Sequence, residues 1–563
     1  MHSWKTLWLL FTVMFFCIYE GKGNKQDGPI ISTKYGRLKG KIVEVKGTNK
    51  AVYVYQTIPF AKAPVGSQRF SAPGKIESWK GVRDAATIFP PMCLQPREQV
   101  YMIFEYVGIE IPPLEMNEDC LYLNVYTPVP PNEMTSIPVM VFIHGGGFMI
   151  GGAYMIDGSS LAAYGNVVVV VIQYRVGVLG FFSTGDEHAR GNWGFLDQVA
   201  ALRWVQENIK SFGGDPGSVT IFGESAGSIS VSMHVLSPLS EDLFHRAISE
   251  SGSAVIPGYC SNDPLPVAKM IANFSGCDTL SSASMVKCLR EKSEEEILKA
   301  TSSLTMLSVS PVIDGVFLTK SPEELSAAKE TKAVPYLLGV TNHEAGWFLP
   351  SLFLPKGWQE GVDRPTAESV VGSICRNISV GEEFQHVIVK EYFEDIEDPI
   401  QLRDLILELI GDLILVIPTF RAAKYHRDAG YPVYFYEFQH RPSIFGDRRP
   451  DFVKSDHGDD LAFVFGMPFL TGEIKPFENS TEEEKSFSKM IMKYWSNFAY
   501  TGSPNGEGLL HWPAYDSREE YMQLNIKPSR AAHFKEKRVA FWMETLPDKV
   551  KEMVGRKNER SEL

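Results

Sequence analysis

The stretch Ser218-Val219-Thr220-Ile221-Phe222-Gly223-Glu224-Ser225-Ala226-Gly227 decides the fold. Its first five residues are rich in β-branched and aromatic side chains and read as a strand, whereas Ser228 through Val235 continue as a helix. Between them lies a tight turn whose serine has a glycine two residues before it and another two residues after. At such an elbow the serine backbone is strained, and those two neighbours must be small so that strand and helix can approach closely. Gly223 and Gly227 meet that demand and present Ser225 outward. Small residues also serve ordinary turns, so Ser225 is a nucleophile only if the rest of a catalytic apparatus is present.

Upstream of that stretch, the apolar runs Pro138 to Ile143 and Val167 to Ile172 are continuous rather than alternating, which marks strands buried on both faces. From Asn192 to Ile209, Leu196, Val199, Ala200, Leu202, Trp204 and Val205 form a helical stripe that stops before Gly213-Gly214. Val334 to Val340 and Val433 to Phe438 read as further strands. Phe487, Ile491, Tyr494, Trp495 and Phe498 recur at helical spacing until Gly502 and Pro504, as core packing. Strands alternating with helices predict an α/β chain with a large, mostly parallel sheet covered on both faces. Ligands then bind at the C-terminal ends of the strands.

A serine hydroxyl is a weak nucleophile that needs a base, a carboxylate to orient the base, and donors for the oxyanion. The loop His144-Gly145-Gly146-Gly147-Phe148 follows a strand and exposes backbone N–H groups without intervening side chains. Gly146, Gly147 and the amide of Ala226 are the candidate oxyanion donors, and losing one such donor costs about 2.7 to 4 kcal/mol in the barrier. The other reading of this loop is a flexible surface segment, against which stand the two apolar strands that bracket it.

The 563 residues contain no low-complexity linker and no fixed-period repeat, so residues 24–563 are expected to form one domain. A hydrophobic fraction of 44% and a net charge of -13 describe an acidic soluble protein and make nucleic acid an unsuitable partner. Lys5, the apolar stretch Leu7 to Ile18 and small residues Gly21 and Gly23 read as a signal peptide over residues 1–23, too short for a membrane anchor. Its removal takes Cys17 and leaves six of seven cysteines, an even number suited to an oxidising compartment. Asn273, Asn377 and Asn479 head glycosylation sequons that gain meaning there. Charges from Lys535 onward exclude a C-terminal membrane span, and the last residues, Arg560-Ser561-Glu562-Leu563, resemble an endoplasmic-reticulum retention signal. Luminal retention and secretion both stay open, as does the oligomeric state.

With Glu118-Asp-Cys-Leu-Tyr-Leu-Asn-Val125, the His144 glycine loop, Gly191-Asn-Trp-Gly-Phe-Leu-Asp-Gln198 and Phe212 through Gly227, the chain resembles the type-B carboxylesterase and cholinesterase family of α/β-hydrolases. Among its members the mammalian-type carboxylesterases are the most similar. The resemblance covers nearly the whole chain after residue 23. It implies an α/β-hydrolase fold with helical and loop insertions over an active-site gorge, and a catalytic triad in the chain order Ser, Glu, His.

Carried over residue by residue, the acid is Glu344, in Gly339-Val-Thr-Asn-His-Glu344-Ala-Gly-Trp347, with Asp314 in a family turn motif as the competing carboxylate. The base is His457, in Lys454-Ser-Asp-His457-Gly-Asp-Asp-Leu461, where Asp460 replaces the commoner glutamate. The resemblance also places Glu224 and Ser251 in a network that steadies the triad, although a cap or turn explains Ser251 equally well. Cys93 and Cys120 match the family's first disulfide, worth about 3 kcal/mol in lost chain entropy, around a loop with Tyr101, Phe104 and Tyr106 at one rim of the gorge. Cys277 and Cys288 match its second, leaving Cys260 and Cys375 either free or paired with each other. The implied activity is hydrolysis of carboxylic esters through an acyl-enzyme, with a small-molecule or lipid ester as substrate and no metal or organic cofactor. A lipase or cholesteryl-ester hydrolase, an amidase and an acyltransferase are alternatives on the same machinery. A catalytically silent adhesion protein on the same fold is disfavoured by the intact set of triad candidates.

Overall fold

A computed structural model describes residues 28–87, 90–107, 114–302, 304, 310–377, 384–471 and 477–552. The expected signal peptide and the Arg560–Leu563 tail lie outside the described residues. Eleven strands form the central sheet, and from edge to edge their order is Ser529–Ala532, Glu520–Leu524, Val433–Phe438, Tyr336–Thr341, Arg246–Glu250, Gly214–Glu224, Ile137–Ile143, Val168–Ile172, Tyr122–Thr127, Ala51–Pro59 and Lys41–Glu44. The run from Glu520–Leu524 to Val168–Ile172 is parallel throughout, with antiparallel strands only at the two flanks.

Continuous apolar runs become inner strands here because every side chain finds a covered face. Val139, Val141, Ile143, Val168, Val170 and Ile172 enter one core, while Met140, Phe142, Val169 and Val171 enter the other, as the two-residue period of a strand demands. The first core is covered by helices Trp193–Asn208, Ala226–Leu236 and Ile417–Asp428. The second is covered by Ser159–Gly165 and Glu482–Thr501, whose Phe487, Ile491, Tyr494, Trp495 and Phe498 are all buried. That last helix opens on a Thr481/Glu484 capping box and closes on Gly502 at φ 77°.

Two elements depart from expectation. The strand entering the elbow starts at Gly214 rather than Ser218, because Gly214 already pairs with Ile137 before an irregularity in register, after which Val219 pairs with Val139. The segment carrying Tyr101, Phe104 and Tyr106 is a helix, Arg97–Val107, and not a loop. A third apolar cluster, built from helices Arg364–Asn377, Gln385–Phe393, Pro399–Gly411 and the π-turn Asp412–Val416, includes Ala345, next to Glu344.

Disulfides join Cys93 to Cys120 and Cys277 to Cys288. Cys260 packs against the first core and Cys375 lies within the third cluster, so these two are not bonded to each other. Asn273 and Asn479 are exposed, while Asn377 ends a helix and the rest of its sequon lies outside the described residues. Among the described residues no helix is long and apolar enough to cross a membrane.

Candidate active site

Four parallel strands end at one place, and each delivers a part of the site. Gly214–Glu224 ends at the elbow, where Ser225 holds φ 58° and ψ -122°, a conformation that costs an L-residue on the order of 1–3 kcal/mol. Its N–H donates to Glu250 O at 2.9 Å, and its carbonyl accepts from Ile229 N at 2.9 Å, which pins the turn at both ends. The glycines are sterically required: a Cβ on Gly227 would sit 1.9 Å from Ile143 O, and one on Gly223 would sit 2.6 Å from the Gly227 carbonyl carbon.

Ile137–Ile143 ends in the glycine loop. Gly146 and Gly147 adopt φ 101° and 62°, and a Cβ on Gly146 would meet Ile150 O at 2.2 Å. His144 stacks on Tyr174 with ring centroids 4.2 Å apart, and burial lowers its pKa to about 4, so it stays neutral. Its Nδ1–H donates to Gly145 O at 2.9 Å, and Tyr174 OH donates to His144 O at 2.8 Å. Gln95, which sequence reasoning missed, closes the far side by accepting from Gly151 N at 2.7 Å and donating to Gly151 O at 2.9 Å. Among the described residues the N–H groups of Gly146, Gly147 and Ala226 have no acceptor.

Tyr336–Thr341 leads into Glu344, which is 2% exposed and fully engaged. Its Oε1 accepts from Ser251 Oγ at 2.6 Å and from Thr341 N at 2.7 Å, and its Oε2 meets His457 Nδ1 at 2.7 Å. Ser251 follows the end of Arg246–Glu250 at φ 59°. Asp314, the competing carboxylate, instead accepts the amides of Val316, Phe317 and Leu318 and is consumed by its own turn.

His457 is held between two carboxylates. Glu224 Oε1 lies 3.0 Å from Nε2, out of line for a hydrogen bond but close enough for strong attraction. Burial lowers the proton affinity of His457, yet Glu224 and Glu344 outweigh it and hold its pKa well above the ordinary 6.5. Ser225 Oγ makes no hydrogen bond among the described residues; the structure brings serine and histidine into one cavity but leaves Nε2 facing Glu224. Such bonds are commonly long or misaligned without substrate and tighten in the reacting complex.

Residues 342–348 and 454–457 are zipped together by contacts the sequence did not announce. Lys454 N donates to His343 Nδ1 at 3.2 Å, which burial keeps neutral with a pKa near 4, and Ser455 N donates to Asn342 Oδ1 at 3.1 Å. Asp456 accepts from Gly346 N and Trp347 N at 3.0 Å each and from Phe348 N at 3.2 Å.

A cavity of about 100 Å³ is lined by Gly147, Ser225, Ala226 and His457 together with apolar Ile229, Leu415 and others. A larger one, about 560 Å³, begins at Gly146, Met149 and Ile150. Leu352, Phe353 and Ile374 border both. Gln99, Met102 and Ile103 line the larger cavity, not the expected Tyr101, Phe104 and Tyr106. Positions 99, 102 and 103 share one helix face, which turns Phe104 into the core; Tyr106 continues that face one turn later, beyond the cavity, where it reaches Asp456.

The profile of the Carboxylesterase family matches residues 27–542. The chain is 49% identical to a protein named fatty acyl-CoA hydrolase precursor, medium chain, of Anas platyrhynchos, over 93% of each chain. It is 48% identical to liver carboxylesterase of Sus scrofa and 47% identical to liver carboxylesterase 1 of Oryctolagus cuniculus, in each case over 93% of this chain and 94% of the other. With a profile match over most of its length and relatives nearly half identical along it, this chain belongs to the carboxylesterase family of carboxylic-ester hydrolases.

Proposed function

We propose that Ser225, His457 and Glu344 are the catalytic triad of this carboxylesterase and that the amides of Gly146, Gly147 and Ala226 form its oxyanion hole. The observation that carries the reading is the 2.7 Å contact between Glu344 Oε2 and His457 Nδ1 beside a cavity lined by both His457 and the strained Ser225. Ser225 Oγ attacks the ester carbonyl carbon while His457 Nε2 takes its proton. The amides stabilise the oxyanion, the bond to the alcohol oxygen breaks, and His457 returns the proton to the departing alcohol. Water then attacks the acyl-enzyme with His457 again as base, releasing the acid and restoring Ser225. Glu344 holds the imidazole in the tautomer that leaves Nε2 as acceptor and stabilises the imidazolium that forms. Ser251, Thr341 and Glu224 steady that pair.

Ser225→Ala is expected to abolish labelling by an organophosphonate ester probe and to lower kcat on the order of a millionfold, with an unchanged circular dichroism spectrum. Labelling of the folded variant would overturn the assignment of the nucleophile.

The two disulfides fit a chain of the secretory pathway. Within that pathway residues 1–23 are proposed as the leader, residues 24–563 as one α/β-hydrolase unit, and exposed Asn273 and Asn479 with Asn377 as glycan acceptors, in a chain either held in the endoplasmic-reticulum lumen or secreted. Acyl substrates are proposed on two grounds: the apolar lining beside Ser225, and the name of the Anas platyrhynchos relative, which extends the class to fatty acyl thioesters.

A further inference from the structure

Resting on the reading of His457 as base, we propose that Tyr106 is a positioning residue for the base, tying the segment closed by the Cys93–Cys120 disulfide to the loop that carries His457. The link runs through Asp456, next to His457 in the chain and fully buried. Tyr106 OH donates to Asp456 Oδ2, the same carboxylate whose Oδ1 gathers the amides of Gly346 and Trp347. Tyr106 is therefore the point where helix Arg97–Val107 joins the zipped acid and base loops.

The joint is built from both sides. Arg449 donates to Tyr106 Oη at 3.2 Å and forks Asp459 at 2.6 and 2.9 Å, and Asp459 Oδ2 in turn accepts Asp456 N at 2.7 Å. Asp459 N closes back on Asp456 O at 3.1 Å, so the turn Asp456-His457-Gly458-Asp459 is fastened at both ends. Arg449 is 2% exposed and stacks over Phe445 at 3.7 Å, while the Tyr106 ring packs against Phe348 and Phe445. Burial and the neighbouring Asp456 both raise the Tyr106 pKa, so the hydroxyl keeps its proton and remains a donor.

A side chain that only filled space would not need this polarity. Phenylalanine would pack against Phe348 and Phe445 equally well, but it would leave a buried carboxylate oxygen short of one donor and Arg449 short of one acceptor. The disulfide closes the segment around the helix: Cys93 precedes it, and Cys120 follows it. Tyr106 is thus held relative to the sheet from which the serine and acid strands emerge. One turn earlier on the same helix, Met102, 43% exposed, and Ile103 stand at the wall of the larger cavity. One helix consequently contacts both the substrate cavity and the mount of the base.

Tyr106→Phe tests this with a short-chain ester. A displacement of about 1 Å costs on the order of 100-fold, so the partial slackening expected here lowers kcat about tenfold. KM should stay within about twofold, and phosphonate labelling of Ser225 should slow in the same proportion as kcat. The paired variant Cys93→Ala/Cys120→Ala should lose kcat to a similar degree, and combining it with Tyr106→Phe should add little, because both break one chain of contacts. An unchanged kcat in Tyr106→Phe, a loss confined to KM, or additive losses would each overturn the proposal. His457→Gln separates this from the underlying reading: if that variant still hydrolyses ester at the wild-type rate, the base assignment fails whatever Tyr106 does.

Discussion

His457 is poised between Glu344 at Nδ1 and Glu224 at Nε2, and this has a consequence for pH. As proposed base it works only when neutral, whereas the two carboxylates favour its cation against the cost of burial and hold the pKa well above 6.5. Activity expressed as kcat/KM must therefore fall as pH drops through that raised value. Glu224→Gln keeps the shape and removes one negative charge, so the cation loses support and the acid limb of the profile moves to lower pH. A pH titration of kcat/KM checks this, and an acid limb that stays put would show that Glu224 does not govern the base. Glu344 and His457 were legible through the family motifs that hold them, Glu344's directly after strand Tyr336–Thr341 and His457's in a loop. The sequence could not carry the competition between Glu224 and Ser225 for Nε2, which depends on side-chain directions set by the surrounding fold.

At the scale of elements, the elbow is a meeting of two backbones. Gly227 on helix Ala226–Leu236 faces Ile143 O at the end of the neighbouring strand, and a methyl group there would lie 1.9 Å from that oxygen. A backbone carbonyl inside a sheet cannot swing aside as a flexible side chain would. Gly227→Ala is accordingly expected to cost about 3 kcal/mol or more and to remove phosphonate labelling. Gly217→Ala, where the nearest atom is an Asp215 carboxylate oxygen at 3.3 Å, should stay within about 0.5 kcal/mol. Denaturant unfolding of the two variants measures the contrast, and equal stabilities would refute the close-approach account. The two glycines, the strand before them and the helix after them were legible because local pattern and tertiary need coincide. The early start at Gly214 was not legible, since it depends on a partner strand, and Arg97–Val107 was read as a loop because its apolar residues divide between a cavity wall, the core and Asp456.

At the scale of the whole molecule, the sheet and the helix layer on its second face meet over an unusual pair of buried acids. Glu250 accepts from Trp495 Nε1 of helix Glu482–Thr501 at 2.6 Å, and Asp460 accepts from Tyr436 OH at 2.8 Å. Each acid keeps one further oxygen without a donor among the described residues. Asp460 also faces Glu224, Glu344 and His457, and Glu250 faces Asp460 and Glu224. Burial, reinforced by the neighbouring carboxylates, pushes Asp460 up to about 7 and Glu250 well above the carboxylate range. The folded chain thus keeps a proton on Asp460 between about pH 4 and 7 that the unfolded chain has released. Folding binds protons across this window, so the contribution is fully present below the ordinary aspartate value of 3.8 and is lost as pH rises through about 7. Asp460→Asn fixes the neutral form and removes that loss. Relative to wild type, its stability should therefore improve from pH 4.5 to pH 8, as read by denaturant midpoints at matched ionic strength. A difference between the two proteins that does not change with pH would mean that Asp460 is ionised in the folded state throughout and that the layers meet over a charge, not a proton.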